Sequence, residues 1–356
     1  MASENKTVRI LSLNGGGARG LFTIAVLAEI ERIIEDKDGR QDVKAGDYFD
    51  LITGTSIGGI LALGLASGKS ARSLEGVFRE QAPVIFPFKR PWLKTIKALS
   101  GPLYSSAPLK ITVANMVGEE TIFNDLKRRV VVPAVNLSDG EPYFFKTPHN
   151  PEFTRDSYIS LVDAAMATSA APTYFAPHYC EDRNAYFADG GLVANDPSFV
   201  GLHEVLKDMQ SDFKGSGVKD VRILNIGTLG GRYSIKPSAL AARRNNGYLG
   251  LWGAGERLVL TTMSANQQLH KKMLLRELRS SGAEKNYVCL DDTVPHEAAS
   301  DITLDNASQG SLQNLASRGK QLATVEYTQN PLLRAFFEET ADPFKHQASG
   351  QTETNS

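Results

Sequence analysis

A serine lies between an apolar run and a helical pattern near the start of the chain. The pentapeptide Gly54-Thr55-Ser56-Ile57-Gly58 has the G-x-S-x-G spacing of a nucleophile elbow. In such an elbow the serine occupies a strained turn, and Gly54 and Gly58 allow the neighbouring backbone to approach closely. The hydroxyl would lie at the N-terminus of the following helix, where the helix dipole favours a developing negative charge. The pattern predicts that Ser56 is a nucleophile.

A carboxylate further along the chain is the candidate base for this serine. Asp189 ends the apolar run "AYFAD" and is followed by Gly190 and Gly191, which allow a sharp turn. An aspartate is an effective base near neutral pH only if burial raises its pKa, and the end of an apolar strand provides that burial. We predict a Ser56–Asp189 dyad. The alternative is a structural Asp-Gly-Gly turn closed by a local hydrogen bond.

Histidine is the usual base for a serine nucleophile, and it is the alternative to Asp189. The chain has six histidines, none of which carries a flanking motif of a catalytic triad: His149, His178, His203, His270, His296 and His346. We therefore expect structural or surface roles for all of them.

The glycine-rich segment "NGGGARG" offers donors for an oxyanion. The amides of Gly15, Gly16 and Gly17 follow a strand-like run and would be free to donate to the oxyanion of a tetrahedral intermediate. Arg19 adds a positive charge that holds the loop or binds a substrate phosphate. The same spacing fits a dinucleotide-binding turn, but no strand that ends in Asp or Glu follows it at the required distance. A dinucleotide-dependent oxidoreductase is therefore the weaker interpretation.

The elements that would position these residues alternate between strand-like and helical patterns. Residues 8–13 and 49–53 are strand-like, whereas 21–34 and 57–67 are helical; later strand-like runs are "RVVVPAVNL", "AYFADGG" and "VRILNIGT". Strands that are apolar on both faces are typical of a mainly parallel sheet covered by helices. We predict the α/β class, with a three-layer α/β/α architecture.

The domain organisation follows from length and local composition. The chain has 356 residues, of which 42% are hydrophobic, and no linker divides it clearly. We expect one domain over residues 1–340. Residues 341–356 are mostly small and polar, a composition that does not repay the entropy of ordering, and we expect a disordered tail there.

Charge and cysteine content exclude some classes of function. Lys and Arg number 39 against 40 Asp and Glu, so the net charge of -1 provides no field that would attract DNA or RNA. The two cysteines, Cys180 and Cys289, are too few for a disulfide framework and lack zinc-site spacing. We expect a cytoplasmic protein without metal or cofactor. Any membrane contact would be peripheral, because no apolar run is long enough to span a bilayer.

One amphipathic segment is suited to contact with lipid. In "FPFKRPWLKTIKAL", residues 86–99, Trp92, Ile96 and Leu99 share one helical face, and the lysines lie elsewhere. Phe86 and Phe88 precede that face. The pattern predicts an interfacial helix on anionic lipid, with a helix packed on the core as the alternative.

The motifs "NGGGARG", "GTSIGG", "AAPTYFAPH" and "DGG", in this order, resemble those of the patatin-like phospholipases. A later segment, "LDNASQGSLQNLASRGKQL", resembles the plant-type members, and the resemblance covers most of residues 8–335. It implies that Ser56 is the nucleophile and Asp189 the proton acceptor, with Gly15, Gly16, Gly17 and Arg19 as the oxyanion region. It also implies hydrolysis of fatty-acyl esters of membrane phospholipids, without metal or organic cofactor.

Regulation is a further implication of the resemblance, which is closest to bacterial patatin-like effectors that a cyclic dinucleotide activates in antiviral defence. A constitutive lipid acyl hydrolase and a non-catalytic lipid-binding protein are the alternatives. A nucleotide would act by favouring the active conformation or a homo-oligomeric assembly. Two basic clusters could contact its phosphates and bases, although solvated surface charge explains them equally: Lys127, Arg128 and Arg129, and Arg243 and Arg244 beside Tyr248 and Trp252.

Overall fold

The computed structural model describes residues 7–87, 101–230, 237–241, 247–248, 250–292 and 302–345. Residues 88–99 of the predicted interfacial helix lie outside the described residues, as do Arg243 and Arg244. None of the helices in the described part of the chain is long and apolar enough to cross a membrane.

One sheet forms the centre of the molecule. Its strands are β1 (Val8–Leu13), β2 (Leu51–Gly54), β3 (Arg129–Asn136), β4 (Glu141–Lys146), β5 (His178–Cys180), β6 (Ala185–Asp189), β7 (Val221–Ile226) and β8 (Tyr287–Leu290). The order is β5-β6-β3-β2-β1-β7-β8, and β4 also pairs with β3. The pairings among β3, β2, β1, β7 and β8 are parallel, whereas those of β4, β5 and β6 are antiparallel. The predicted mainly parallel sheet is confirmed.

Helices cover both faces of the sheet, as the three-layer prediction requires. In the described residues they are α1 (Gly20–Asp38), α2 (Ile57–Ala66), α3 (Ala71–Ile85), α4 (Ser106–Val117), α5 (Leu161–Thr168), α6 (Gly191–Ala194), α7 (Ser198–Asp208), α8 (Pro237–Ala241), α9 (Glu256–Ser280), α10 (Gln309–Gln329) and α11 (Pro331–Arg334).

Alternation along β1 explains why two cores form. Leu11 and Leu13 point into a large core with α1, α2, α3 and α10. Val8 and Ile10 point to the other face, where they pack with residues of α7 and with Leu274 near the end of α9. Successive side chains of a strand face opposite sides, so a strand that is apolar throughout must be covered twice.

Strand β2 begins two residues later than predicted. The residues just before it are engaged outside the sheet: the ring of Phe49 packs against those of Phe336 and Phe337, and an Asp50 carboxylate oxygen accepts the Arg9 N–H at 2.9 Å. Apolar character alone does not distinguish such a packed residue from a strand residue.

The C-terminal boundary also differs from the prediction. Ala341 and Phe344, in the segment expected to be a disordered tail, are 3% and 5% exposed. The Ala341 N–H donates to the Asp47 carbonyl, and the Phe344 N–H donates to the Lys127 carbonyl. The packed part of the described chain therefore reaches residue 345, because two buried side chains and two backbone hydrogen bonds anchor this segment. Residues 346–356 lie outside the described residues.

Two arginines of the predicted nucleotide-binding cluster serve this anchoring instead. Arg128 is buried and donates to the carbonyls of Ala341 and Asp342. It also donates to the Asp47 carboxylate. These contacts favour structural roles for both side chains, since Arg128 makes three hydrogen bonds within the chain and Arg129 is paired with Asp212 and stacked on aromatic rings. Lys127 is exposed.

Candidate active site

The segment after β2 forms a strained turn at Ser56. Its backbone has φ 56° and ψ -126°, a region that a residue with a side chain rarely adopts, and α2 starts at the next residue. The elbow carries the serine Oγ at the N-terminus of α2, where the helix dipole is positive. Strain of this kind in a non-glycine residue is characteristic of functional sites.

The two glycines of the pentapeptide are required by close backbone approach. A Cβ on Gly54 would lie 2.0 Å from the Gly58 carbonyl oxygen, and a Cβ on Gly58 would lie 2.3 Å from the Leu13 carbonyl oxygen. Both distances are shorter than any real contact. The tight turn therefore depends on glycine at both positions, as the spacing predicted.

Asp189 meets the serine from an antiparallel strand. Asp189 pairs with Ala134 of β3. Ala134 lies three residues beyond Val131, which is the last β3 residue that pairs with β2. The Ser56 hydroxyl donates to Asp189 Oδ2 at 2.7 Å, and the Gly191 N–H donates to Asp189 Oδ1 at 2.6 Å. Burial raises the pKa of Asp189 to about 6, although these two hydrogen bonds oppose the increase. The carboxylate can accept a proton near neutral pH.

The described histidines that contact carboxylates do so away from Ser56. His149 is fully buried and bonds to Glu204 at 2.8 Å. His178 bonds to Asp163 at 2.8 Å. These pairs hold surrounding elements together, and no histidine in the described part of the chain lines the cleft at Ser56.

The glycine loop after β1 lies beside the elbow, but only part of it is available to an oxyanion. The Gly15 N–H already donates to the Asn195 carbonyl at 3.0 Å, so the prediction of a free Gly15 amide is wrong. The amides of Gly16 and Gly17 have no acceptor among the described residues, and both residues line the cleft with Ser56. Gly17 has φ 57°, which favours glycine.

Comparison with known proteins agrees with this geometry. The family described as "Patatin-like phospholipase" matches residues 11–200. A "cGAMP-activated phospholipase" of Vibrio cholerae serotype O1 is 67% identical over 344 residues, covering 95% of this chain and 96% of that protein. Proteins of the same description from Escherichia coli and Pseudomonas aeruginosa are 64% and 39% identical, over 97% and 94% of this chain and 96% and 93% of their own lengths.

The chain belongs to the patatin-like phospholipase family. This confirms the predicted fold and the predicted family. It also contradicts the alternative of a dinucleotide-dependent oxidoreductase, which rested on the glycine spacing alone.

Arg19 holds the glycine loop of this patatin-like phospholipase. Its Nε donates to the Gly16 carbonyl at 3.3 Å, and the side chain is partly buried. Burial lowers the pKa of the guanidinium, and the nearby Asp291 carboxylate opposes that change. Of the two predicted roles for Arg19, the contacts support the first, in which it orders the loop.

Thr168 is a site residue that the sequence analysis missed. Its hydroxyl accepts the Ser56 N–H at 3.0 Å and donates to the Pro133 carbonyl at 2.6 Å. Its carbonyl accepts the Gly190 N–H at 3.1 Å. Thr168 therefore joins the serine turn to the aspartate turn. The only signal in the sequence was its place just before the "AAPTYFAPH" motif.

An apolar cleft opens above Ser56 and Asp189 in this patatin-like phospholipase. Its lining, apart from Ser56, Asp189 and the glycine loop, is mostly hydrocarbon and aromatic, including Ile57, Ile60, Phe78, Phe86, Phe175 and Met263. Phe86 is 7% exposed and belongs to the core, so its predicted place at a lipid surface is wrong. A cleft of this character suits a fatty-acyl chain.

Proposed function

We propose that the chain hydrolyses fatty-acyl esters of membrane phospholipids with Ser56 as nucleophile and Asp189 as base. The observation that carries the proposal is the 2.7 Å hydrogen bond from the Ser56 hydroxyl to Asp189 Oδ2 at the floor of an apolar cleft. A strained serine, a buried carboxylate and free amides beside them are the parts that acyl transfer requires.

In the first half of the reaction, Ser56 Oγ attacks the acyl carbon while its proton moves to Asp189. The amides of Gly16 and Gly17 donate to the oxyanion of the tetrahedral intermediate. The ester C–O bond then breaks, and Asp189 returns the proton to the leaving alkoxide. The acyl chain remains on Ser56.

In the second half, water attacks the acyl-serine carbonyl and gives its proton to Asp189. The bond between the acyl carbon and Ser56 Oγ breaks, the serine recovers the proton, and the fatty acid is released. In each half Asp189 accepts one proton and then returns it. The proposed mechanism therefore needs no metal, cofactor or histidine.

We also propose that cGAMP activates this chain. The support is similarity alone: relatives 64% and 67% identical over almost the full length are described as cGAMP-activated phospholipases. Such a nucleotide would act by binding the active conformation or assembly more tightly than the resting one.

The test measures fatty-acid release from phospholipid vesicles by the purified full-length chain, with and without cGAMP and other cyclic dinucleotides. We expect release that requires cGAMP and that disappears in Ser56→Ala. Equal release without any nucleotide would leave a constitutive lipid acyl hydrolase. No release under any condition, with vesicle binding retained, would indicate a lipid-binding protein.

A further inference from the structure

Helix α9 contacts the base turn through one amide side chain. Asn266 Nδ2 donates to the Gly191 carbonyl at 2.7 Å, and Asn266 Oδ1 accepts the Asn195 N–H at 3.1 Å. Gly191 is the first residue of the short helix α6, which begins two residues after Asp189, and Asn195 is the residue that follows its last. One side chain from a distant part of the sequence therefore bonds to both ends of the segment Gly191–Asn195, which follows the proposed base.

The same contact continues to the glycine loop. Asn195 is 5% exposed, and its carbonyl accepts the Gly15 N–H at 3.0 Å. Its side-chain Nδ2 donates to Gln267 Oε1 at 2.8 Å, so two consecutive residues of α9 hold it. An unbroken series of hydrogen bonds thus leads from the base turn, through α9, to the loop that carries the free amides.

We propose that Asn266 is a positioning residue for the hydrolysis, acting through Asn195 and Gly191 on the glycine loop and on the base. This inference rests on the proposed function. Asn266 is not among the described residues that line the cleft with Ser56. Its role is to keep the base and the oxyanion donors in one fixed arrangement relative to each other.

The effect on the base follows from the contacts of Gly191. This glycine is held on two sides, because its N–H donates to Asp189 Oδ1 and its carbonyl accepts from Asn266. Glycine has no side chain to restrict it, so loss of the Asn266 contact would free the turn. The hydrogen bond from Gly191 lowers the pKa of Asp189 against the effect of burial, and weakening that bond would raise the pKa.

The experiment compares wild type, Asn266→Ala and Asn266→Asp in the activated vesicle assay, with Gln268→Ala as the matched control. Asn266→Asp keeps the size and the acceptor for Asn195 but removes the donor to Gly191, so it separates hydrogen bonding from packing. Gln268 is a partly exposed residue of the same helix, and its side-chain amide makes no hydrogen bond to the described residues. Circular dichroism confirms that each variant is folded.

We expect kcat to fall about 10- to 100-fold in both Asn266 variants, with KM changed less than about threefold, because geometry and not substrate binding is lost. We also expect the acidic limb of the pH profile to move to higher pH in Asn266→Ala, and Gln268→Ala to behave as wild type. If both variants keep the wild-type kcat and acidic limb and lose only thermal stability, Asn266 is purely structural and the inference is wrong. Absence of activity in wild type would instead refute the proposed function.

Discussion

At the scale of single residues, the two members of the dyad occupy environments that cost stability. Ser56 has a backbone conformation that is unfavourable for any residue except glycine, and Asp189 is buried with no cation among the causes of its raised pKa. Both residues could be predicted because they lie in short local motifs. Thr168 and Asn266 could not, since they reach the site by tertiary packing from α5 and α9.

The raised pKa of Asp189 predicts the pH dependence of hydrolysis. The carboxylate must be deprotonated to accept the serine proton, so kcat/KM should fall as the pH decreases through about 6 and should be independent of pH above about 7. The measurement is the initial rate on a water-soluble fatty-acyl ester between pH 4.5 and 8. An acidic limb near pH 4 would mean that Asp189 is not desolvated.

The same pKa predicts a gain of stability on Asp189→Asn. Folding raises the pKa from 3.8 to about 6, so proton binding favours the native state below pH 3.8, and this contribution is lost as the pH rises through about 6. At pH 8 the buried charge costs up to about 3 kcal/mol, which the neutral amide removes. We expect an inactive variant with a higher Tm at pH 8 and little difference at pH 4. A lower Tm at pH 8 would contradict this account.

At the scale of elements, the site is built from turns where strands end: the glycine loop after β1, the elbow after β2 and the base turn after β6. The spacing of glycines predicted all three turns, because a close approach leaves only one residue type that fits. It did not predict that the Gly15 N–H already donates to a carbonyl within the chain. Which donors remain free is decided by Asn195, more than a hundred residues away in sequence.

The elbow should not tolerate a methyl group at Gly58. A Cβ there would overlap the carbonyl oxygens of Leu13 and Asn14, at 2.3 and 2.7 Å, and these backbone atoms cannot move without displacing the glycine loop. We expect Gly58→Ala to lower the free energy of unfolding by about 2–4 kcal/mol and to abolish activity. Chemical denaturation measures the change.

The control is Gly76→Ala in the exposed part of α3, where a Cβ would meet nothing within 4 Å. Alanine in a helix interior is favoured over glycine, so this change should stabilise the protein by about 0.5–1 kcal/mol. Equal effects at the two glycines would show that the elbow is not the tight turn described here.

At the scale of the whole molecule, the antiparallel strands at one side of the sheet bring Asp189 to Ser56, 133 residues away in sequence. The alternation of apolar strand-like segments with helical segments predicted the layers of the fold. Strands that are buried on both faces must be covered by helices. The alternation did not predict the antiparallel edge, because the run "AYFAD" of β6 is as apolar as the runs that form parallel strands. The anchoring of residues 341–345 was also hidden by their polar composition.

The anchoring of residues 341–345 predicts that Arg129 contributes to stability and not to nucleotide binding. The guanidinium bonds to Asp212 and lies over the rings of Phe213 and Phe344, at 5.1 and 4.7 Å. We expect Arg129→Ala to lower the free energy of unfolding by about 2–4 kcal/mol without changing the concentration of cGAMP that gives half-maximal activity. Lys127→Ala, at an exposed neighbour, is the control for stability. If Arg129→Ala has the wild-type Tm but is no longer activated by cGAMP, this account is contradicted and Arg129 has a role in nucleotide binding.

The central claim is that Ser56 forms the covalent acyl intermediate, and reaction with a fluorophosphonate tests it most directly. The activated full-length chain would be treated with the reagent, digested and mapped by mass spectrometry, beside Ser56→Ala. We predict a single adduct on the peptide that contains Ser56, and none on the variant. An adduct on another serine, or equal labelling of the variant, would contradict the assignment of the nucleophile.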